Sequence, residues 1–185
     1  MSGEAVDWTG DLTDGVVLIR RLTEADAHAF AQGFADDPTL GAMVGVETDP
    51  TPEEVVAREF TNRPPHAFPA LAIADAANDG AFLGGIGIYR LDRHHRRGEV
   101  GFWLVPQARR RGLTGRAVRL LTTWAFDTLA LDRMELTTTP DNTATRALAL
   151  KLGFTEEGTM RERNFERGRR VDVMMFAVLK DEWRG

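Results

Sequence analysis

Glu99-Val100-Gly101-Phe102-Trp103-Leu104-Val105-Pro106-Gln107-Ala108-Arg109-Arg110-Arg111-Gly112-Leu113-Thr114-Gly115-Arg116-Ala117 is the stretch whose reading decides the fold of this 185-residue chain. Its first half alternates as a strand, with Val100, Phe102 and Leu104 on one side and Glu99, Gly101, Trp103 and Val105 on the other. Pro106 stops the alternation. Three arginines and two glycines lead into an apolar periodicity of Leu113, Ala117, Leu120, Leu121 and Trp124, which predicts a helix. A helix that starts in a glycine-containing loop presents unpaired N–H groups and the positive end of its dipole, so the segment reads as an anion site, most simply for phosphate. The glycine spacing and the residues that follow exclude a Walker loop and a dinucleotide fingerprint. On these residues alone, an ordinary strand-to-helix turn with a solvated basic face reads equally well.

The next segments carry a resemblance. Arg109-x-x-Gly112-x-Thr114, then Asp141-Asn142-x-x-Thr145, then Lys151-Leu152-Gly153-Phe154 together resemble the acyl-CoA-binding core of the GNAT superfamily of N-acetyltransferases. Within it the chain is most similar to the RimJ/RimL-like branch, which acetylates N-terminal amines of ribosomal proteins and related small amines. The likeness covers about half of the chain well and the N-terminal part loosely. It implies an α+β fold: one domain over residues 1–185 after a polar leader at 1–13, and a mostly antiparallel sheet of six to seven strands containing one splayed parallel pair. About four helices would flank the sheet.

Composition agrees with a single core, since 43% of the residues are hydrophobic. A net charge of -5 speaks against general nucleic-acid binding. The sequence contains no cysteine, which excludes disulfides, thiolate metal sites and a cysteine nucleophile, and fits a reducing cytoplasm. Met1 to Asp7 lack the basic and apolar regions of a signal peptide, and no apolar run approaches the ~18 residues of a membrane span. The expectation is a soluble, cytoplasmic protein without a membrane partner.

Outward from the central stretch, Val16–Ile19 reads as a first strand, and Thr23 with Asp26 caps a helix carrying Ala27, Phe30, Ala31 and Phe34. Thr51, Pro52 and Glu54 start a second helix, expected to run to about Asn62. The irregular segment Leu40–Pro50, with Met43, Val44 and Val46, forms a cleft wall in the family and reads equally as a surface loop. After the Pro64-Pro65 break, strands are expected at Ala70–Ala74 and Phe82–Leu91, joined by Asn78-Asp79-Gly80. Gly84, Gly85 and Gly87 point to close approach of a neighbouring chain segment or a ligand. His94 and His95 sit in a polar turn without a third ligand, so no metal site is expected. Met134–Thr139 follows the helix as a strand, which suggests a parallel crossover. Asn142 or Thr143 caps the next helix, with Ala144, Leu148 and Leu152 inward, and Gly153 ends it. A strand near Phe154–Met160, a charged loop Arg161–Arg169 and an alternating strand through Val171, Val173, Met175, Ala177 and Leu179 complete the chain.

Moving an acetyl group from a thioester to an amine requires a deprotonated amine, stabilised oxyanion charge and a proton for the thiolate. Glu99 is the candidate base: Gly101 leaves space beside it, and apolar surroundings would tune it, although pairing with an arginine of the preceding turn is the alternative. The remaining roles are implied by the resemblance. The main chain near Leu104 would bind the oxyanion. The pantetheine arm would lie along Trp103, Leu104 and Val105, in the wedge between Phe102–Val105 and Met134–Thr139. Arg110, Arg111, Gly112, Leu113, Thr114 and Gly115 would cradle the pyrophosphate of acetyl-CoA, and Asn142 would bond the arm. Many relatives carry a tyrosine acid where this chain has Ala149; Thr145 keeps a hydroxyl at the matching serine position and reads equally as a first-turn helix residue. Thr114 also departs from the commoner Gly or Ala. Glu162, Glu166 and Asp172 border the expected amine entrance among five arginines, a mixture that defines no substrate.

These readings imply an acetyl-CoA-dependent N-acyltransferase acting on a primary amine, with acetyl-CoA as co-substrate and no metal. A non-catalytic acyl-CoA-binding module is the alternative, and an RNA-associated protein using Arg109–Arg111 is a weaker third reading. Homodimers are common in the branch, so a second copy is among the expected partners.

Overall fold

The structure, a computed structural model, describes residues 6, 8, 10–37, 40, 51–58, 68–166 and 168–185. Most of the Leu40–Pro50 segment, the continuation of the second helix toward Asn62 and the Pro64-Pro65 break lie outside the described residues. In chain order the elements are β1 (Leu12–Thr13), β2 (Val17–Arg21), α1 (Ala27–Asp36), α2 (Pro52–Val56), β3 (Leu71–Asp75), β4 (Ala81–Asp92), β5 (Arg97–Leu104), α3 (Leu113–Asp127), β6 (Arg133–Thr138), α4 (Thr143–Lys151), β7 (Thr155–Glu166) and β8 (Arg169–Leu179). The strands form one eight-stranded sheet in the order β1-β2-β3-β4-β5-β6-β8-β7. That is one strand more than the six to seven expected, and the two-residue β1 inside the polar leader accounts for it. Pairing is antiparallel for β1–β2, β2–β3, β3–β4, β6–β8 and β7–β8, and parallel for β5–β6.

The chain divides into two compact units, Met1–Gly87 with Phe102–Ala117, and Ile88–Gly101 with Val118–Gly185. In the first, the side chain of Asp26 carries the start of α1. It accepts from the Thr23 N–H at 2.8 Å and the Thr23 hydroxyl at 2.9 Å, and Arg20 donates two further bonds at 2.7 and 2.8 Å. The helix buries Ala27, Phe30, Ala31 and Phe34 against Trp103, Val55, Leu22 and Ala72. The α2 start has the anticipated Thr51–Glu54 capping box with Pro52 in the first turn. In the turn before β4, Asp79 and Gly80 both take positive φ, 46° and 69°, as a two-residue primed turn requires.

In the second unit, Met134, Leu136, Phe154, Phe176 and Val178 are buried, and Trp183 stacks edge-on with Phe126 and Phe154. Asn142 caps α4 by accepting from the Thr145 N–H at 3.1 Å. At its other end Gly153 has φ 88°, with hydrogen bonds from Gly153 N–H to Leu150 C=O at 3.1 Å and from Phe154 N–H to Ala149 C=O at 3.0 Å. The inward face of α4 differs from expectation: Ala149 and Leu152 are buried while Ala144 is exposed. The charged segment 161–169 is also not a loop. It belongs largely to the β7–β8 hairpin, which turns at Gly168 with φ 75°. Because β7 ends the sheet and is exposed over most of its length, its charges hide the alternation of a strand.

Candidate active site

The head of α3 is built by what precedes it. Arg109 is drawn back into its own unit, donating from Nε to the Leu104 carbonyl at 3.0 Å and pairing through Nη2 with Asp37 at 2.6 Å. Its charge is therefore committed to the turn that follows β5. Arg110 and Arg111 are exposed, and Arg110 takes φ 60°. Gly112 takes φ 74°, and a Cβ there would meet no atom within 4 Å. No neighbouring side chain demands a glycine at this point. The left-handed backbone does, and the missing side chain leaves the main chain open at the start of a 15-residue helix. That is what a phosphate cradle needs, so these residues fit the pyrophosphate of an acyl-CoA. Leu113 is buried, Thr114 and Gly115 are half-buried, and their contribution to such a cradle is through main-chain N–H groups. Arg116 turns away to Asp14, at 2.6 Å.

Trp103, Leu104 and Val105 stand in the same unit. The Trp103 indole is enclosed by Phe30, Phe34 and Phe82, with ring centroids 4.9, 4.9 and 5.7 Å away. It is a core side chain, and any hold on a ligand would come from its main chain. The Val105 N–H already donates to the Leu83 carbonyl at 2.9 Å. Gly84 explains the close approach anticipated in β4: a Cβ on it would be 2.1 Å from the Trp103 carbonyl oxygen, and one on Gly85 would be 2.5 Å from the indole Nε1.

Glu99, Asn142 and Thr145 belong to the other unit. The β5–β6 ladder runs Arg97↔Arg133, Gly98↔Met134 and Glu99↔Glu135. Among the described residues it ends there, although β5 and β6 both continue. Glu99 therefore sits where the parallel pair stops bonding. Its carboxylate is engaged on both oxygens: Oε1 accepts from the Thr137 hydroxyl at 2.5 Å, and Oε2 is paired with Arg90 Nη1. The arginine comes from β4, not from the turn at residues 93–97. The Oδ1 of Asn142 accepts the cap bond of α4, which leaves its amide nitrogen as the side chain's donor.

Sequence reasoning overlooked Arg90, Thr137 and Tyr89. Arg90 has φ 47° within a strand, which breaks the alternation and lets consecutive residues reach one face. Tyr89 lays its ring over Gly101, filling the space that the missing side chain had suggested was open. Strict alternation conceals such a bulge. The clue available was Gly101 itself, a glycine in a strand whose neighbour needs the room. Glu162 and Asp172 also meet, the Glu162 N–H donating to Asp172 Oδ1 at 2.8 Å, while Asn164 donates to Glu166 at 3.1 Å. Two of those three carboxylates are thus engaged within the hairpin. No group of three or more metal-ligating side chains occurs among the described residues, and no helix among them is long and apolar enough to cross a membrane.

The chain is similar in sequence and in fold to known proteins. A protein of Bacillus subtilis (strain 168) named ribosomal N-acetyltransferase YdaF is 34% identical over 107 residues, 58% of this chain and 58% of that one. The chain thus spans less than two thirds of that relative's length. The N-acetyltransferase YoaA of the same organism, named as uncharacterized, is 27% identical over 176 residues, covering 91% of this chain and 95% of its own. The fold matches that of Mycobacterium smegmatis RimJ, solved in complex with CoA-disulfide, with a TM-score of 0.81 at 23% identity over 95% of this chain and 88% of that one. Residues 17–155 match the family model described as the acetyltransferase (GNAT) domain, and the chain belongs to that family.

Proposed function

We propose that the chain is an acetyl-CoA-dependent N-acetyltransferase that transfers the acetyl group directly to a primary amine within a ternary complex. The observation that carries this reading is the open main chain at Gly112, a left-handed glycine whose added Cβ would meet nothing within 4 Å, immediately before α3 in a chain of this family. When bound, acetyl-CoA supplies the acetyl thioester. The chain's own residues do the rest. Main-chain N–H groups of residues 112–115 and the side chains of Arg110 and Arg111 hold the pyrophosphate. Asn142 and the main chain of residues 103–105 align the arm, and the Leu104 N–H stabilises oxyanion charge. Glu99, held by Thr137 and Arg90, receives the proton of the attacking amine directly or through one water. An alkyl ammonium has an ordinary pKa near ~10 and an N-terminal amine near ~8, so the latter needs less help. With Ala149 fully buried and carrying no hydroxyl, the Thr145 hydroxyl is the assigned proton donor to the thiolate. The acceptor class comprises protein N-termini, amino acids and small amines, and a cysteine-free chain suits a cytoplasmic setting.

The engagement of both Glu99 oxygens favours a second reading, an acyl-CoA-binding module without turnover. Thermal melting with acetyl-CoA, followed by thiol release over an amine panel, separates the two. At ~100 times its dissociation constant the ligand should stabilise by ~2.7 kcal/mol, and Gly112→Glu should abolish the shift. A shift without thiol release supports the module, and no shift in a folded wild-type protein overturns both readings.

A further inference from the structure

Glu99 and Arg90 are unequal partners. The Glu99 side chain is 12% exposed and that of Arg90 is 60% exposed, so the arginine reaches in from the solvent side to a carboxylate otherwise recessed in the sheet. It does so from a left-handed backbone, φ 47°, a conformation that is unfavourable for a non-glycine residue and persists only where the surroundings hold it. Three further carboxylates of this unit also face guanidinium groups. Glu135 accepts from Arg133 Nε at 2.8 Å and faces Arg97 at 3.5 Å, Glu157 pairs with Arg133 at 2.5 Å, and Asp92 faces Arg97 at 3.6 Å. The register of β5 with β6 sets Arg97 beside Arg133 and Glu99 beside Glu135, so the charges on this face alternate in rows. A polycation needs several uncommitted carboxylates, and here each of these four already faces a guanidinium.

Resting on the reading that Glu99 meets the acceptor amine, we propose that Arg90 is a specificity-determining residue that closes Glu99 to polycationic acceptors. An acceptor with one amine and no second cation needs no further anion, and its amine can share the remaining lone pairs of Glu99. A polyamine must also place a second ammonium, and the group paired with Glu99 on its solvent side is the Arg90 cation. Because Arg90 is mostly exposed, its pair with Glu99 contributes little to folding, and its removal acts chiefly on what approaches the carboxylate.

Arg90→Asn is the informative substitution, since asparagine tolerates the left-handed backbone better than most residues. Spermidine is the probe, and its binding to the full chain is measured by titration calorimetry without acetyl-CoA, so that the result does not depend on turnover. Spermidine should bind Arg90→Asn about tenfold more tightly than wild type, the scale of one charged hydrogen bond regained. Arg90→Lys should keep the wild-type affinity. Arg184→Gln, which removes the same charge at the chain's end, should not tighten binding, and adding Glu99→Gln to Arg90→Asn should cancel the gain. Unchanged affinity in Arg90→Asn, an equal gain in Arg184→Gln, or a gain that survives Glu99→Gln overturns the proposal. Thiol release with a peptide bearing a free N-terminus reports separately on acetyl transfer, so loss of one reading is not mistaken for loss of the other.

Discussion

The ring of Tyr89 lies against the backbone of Gly101, where an added Cβ would stand 2.6 Å from Tyr89 Cε2 and 2.8 Å from Cδ2. This contact sets the surroundings of Glu99, two residues earlier on the same face of β5. Tyr89 is 53% exposed, so its ring can swing outward. Gly101→Ala should therefore cost only about 1 kcal/mol of stability while raising the acceptor KM. Tyr89→Ala in the same background should add less than it does alone, since the ring is already displaced there. Additive effects on KM would show that ring and glycine act independently.

Gly84 offers the opposite case. Its missing Cβ faces the Trp103 carbonyl oxygen at 2.1 Å and the Leu104 Cα at 2.8 Å, and these are backbone atoms that cannot turn aside. Gly84→Ala should destabilise by about 3 kcal/mol, as strained core substitutions do. Chemical denaturation checks this, and a loss under 1 kcal/mol would mean that β4 and β5 part without cost.

Asp26 links β2 to the start of α1. Burial pushes its carboxyl up, but hydrogen bonds from Arg20 and from the Thr23 N–H and hydroxyl outweigh burial and hold it below the ordinary carboxylate range. A depressed folded pKa means stability that is present above the unfolded value of about 3.9 and lost as pH falls through the folded value. Asp26→Asn should cost about 1–3 kcal/mol at neutral pH, because Arg20 loses its carboxylate, and should melt with a weaker pH dependence below about pH 4. Identical acid profiles for the two proteins would remove Asp26 from the account of acid unfolding.

Glu99 and Thr137 supply a kinetic prediction. If Glu99 takes the amine proton, Glu99→Gln should lower kcat about 100-fold and flatten its pH dependence. Thr137→Val, which leaves the carboxylate without its hydroxyl donor, should lower kcat about tenfold, and Thr137→Ser should restore it. An unchanged pH profile in Glu99→Gln would sink the assignment of Glu99 as base.

Much of this architecture is written locally. Thr51-Pro52-Glu53-Glu54 and Thr23 to Asp26 announce helix starts because capping is a matter of three or four adjacent residues. Asp79-Gly80 and Gly153 announce turns because few residues accept positive φ. The strand, glycine loop and helix of residues 99–117 are legible for the same reason. Family membership follows from such local blocks kept in order.

Tertiary structure alone decided what surrounds Glu99. The Arg90 side chain, the Tyr89 ring over Gly101 and the Thr137 hydroxyl come from β4 and β6, and along β5 only Gly101 hints at one of them. The charged end of β7, residues 161–166, was hidden likewise, since its strand character rests on bonds to a partner strand and its exposed charges follow no hydrophobic period. Local sequence determines which backbone shapes are affordable. Which side chains then meet depends on how the strands pair, and the left-handed backbone of Arg90 carries no signal in the sequence.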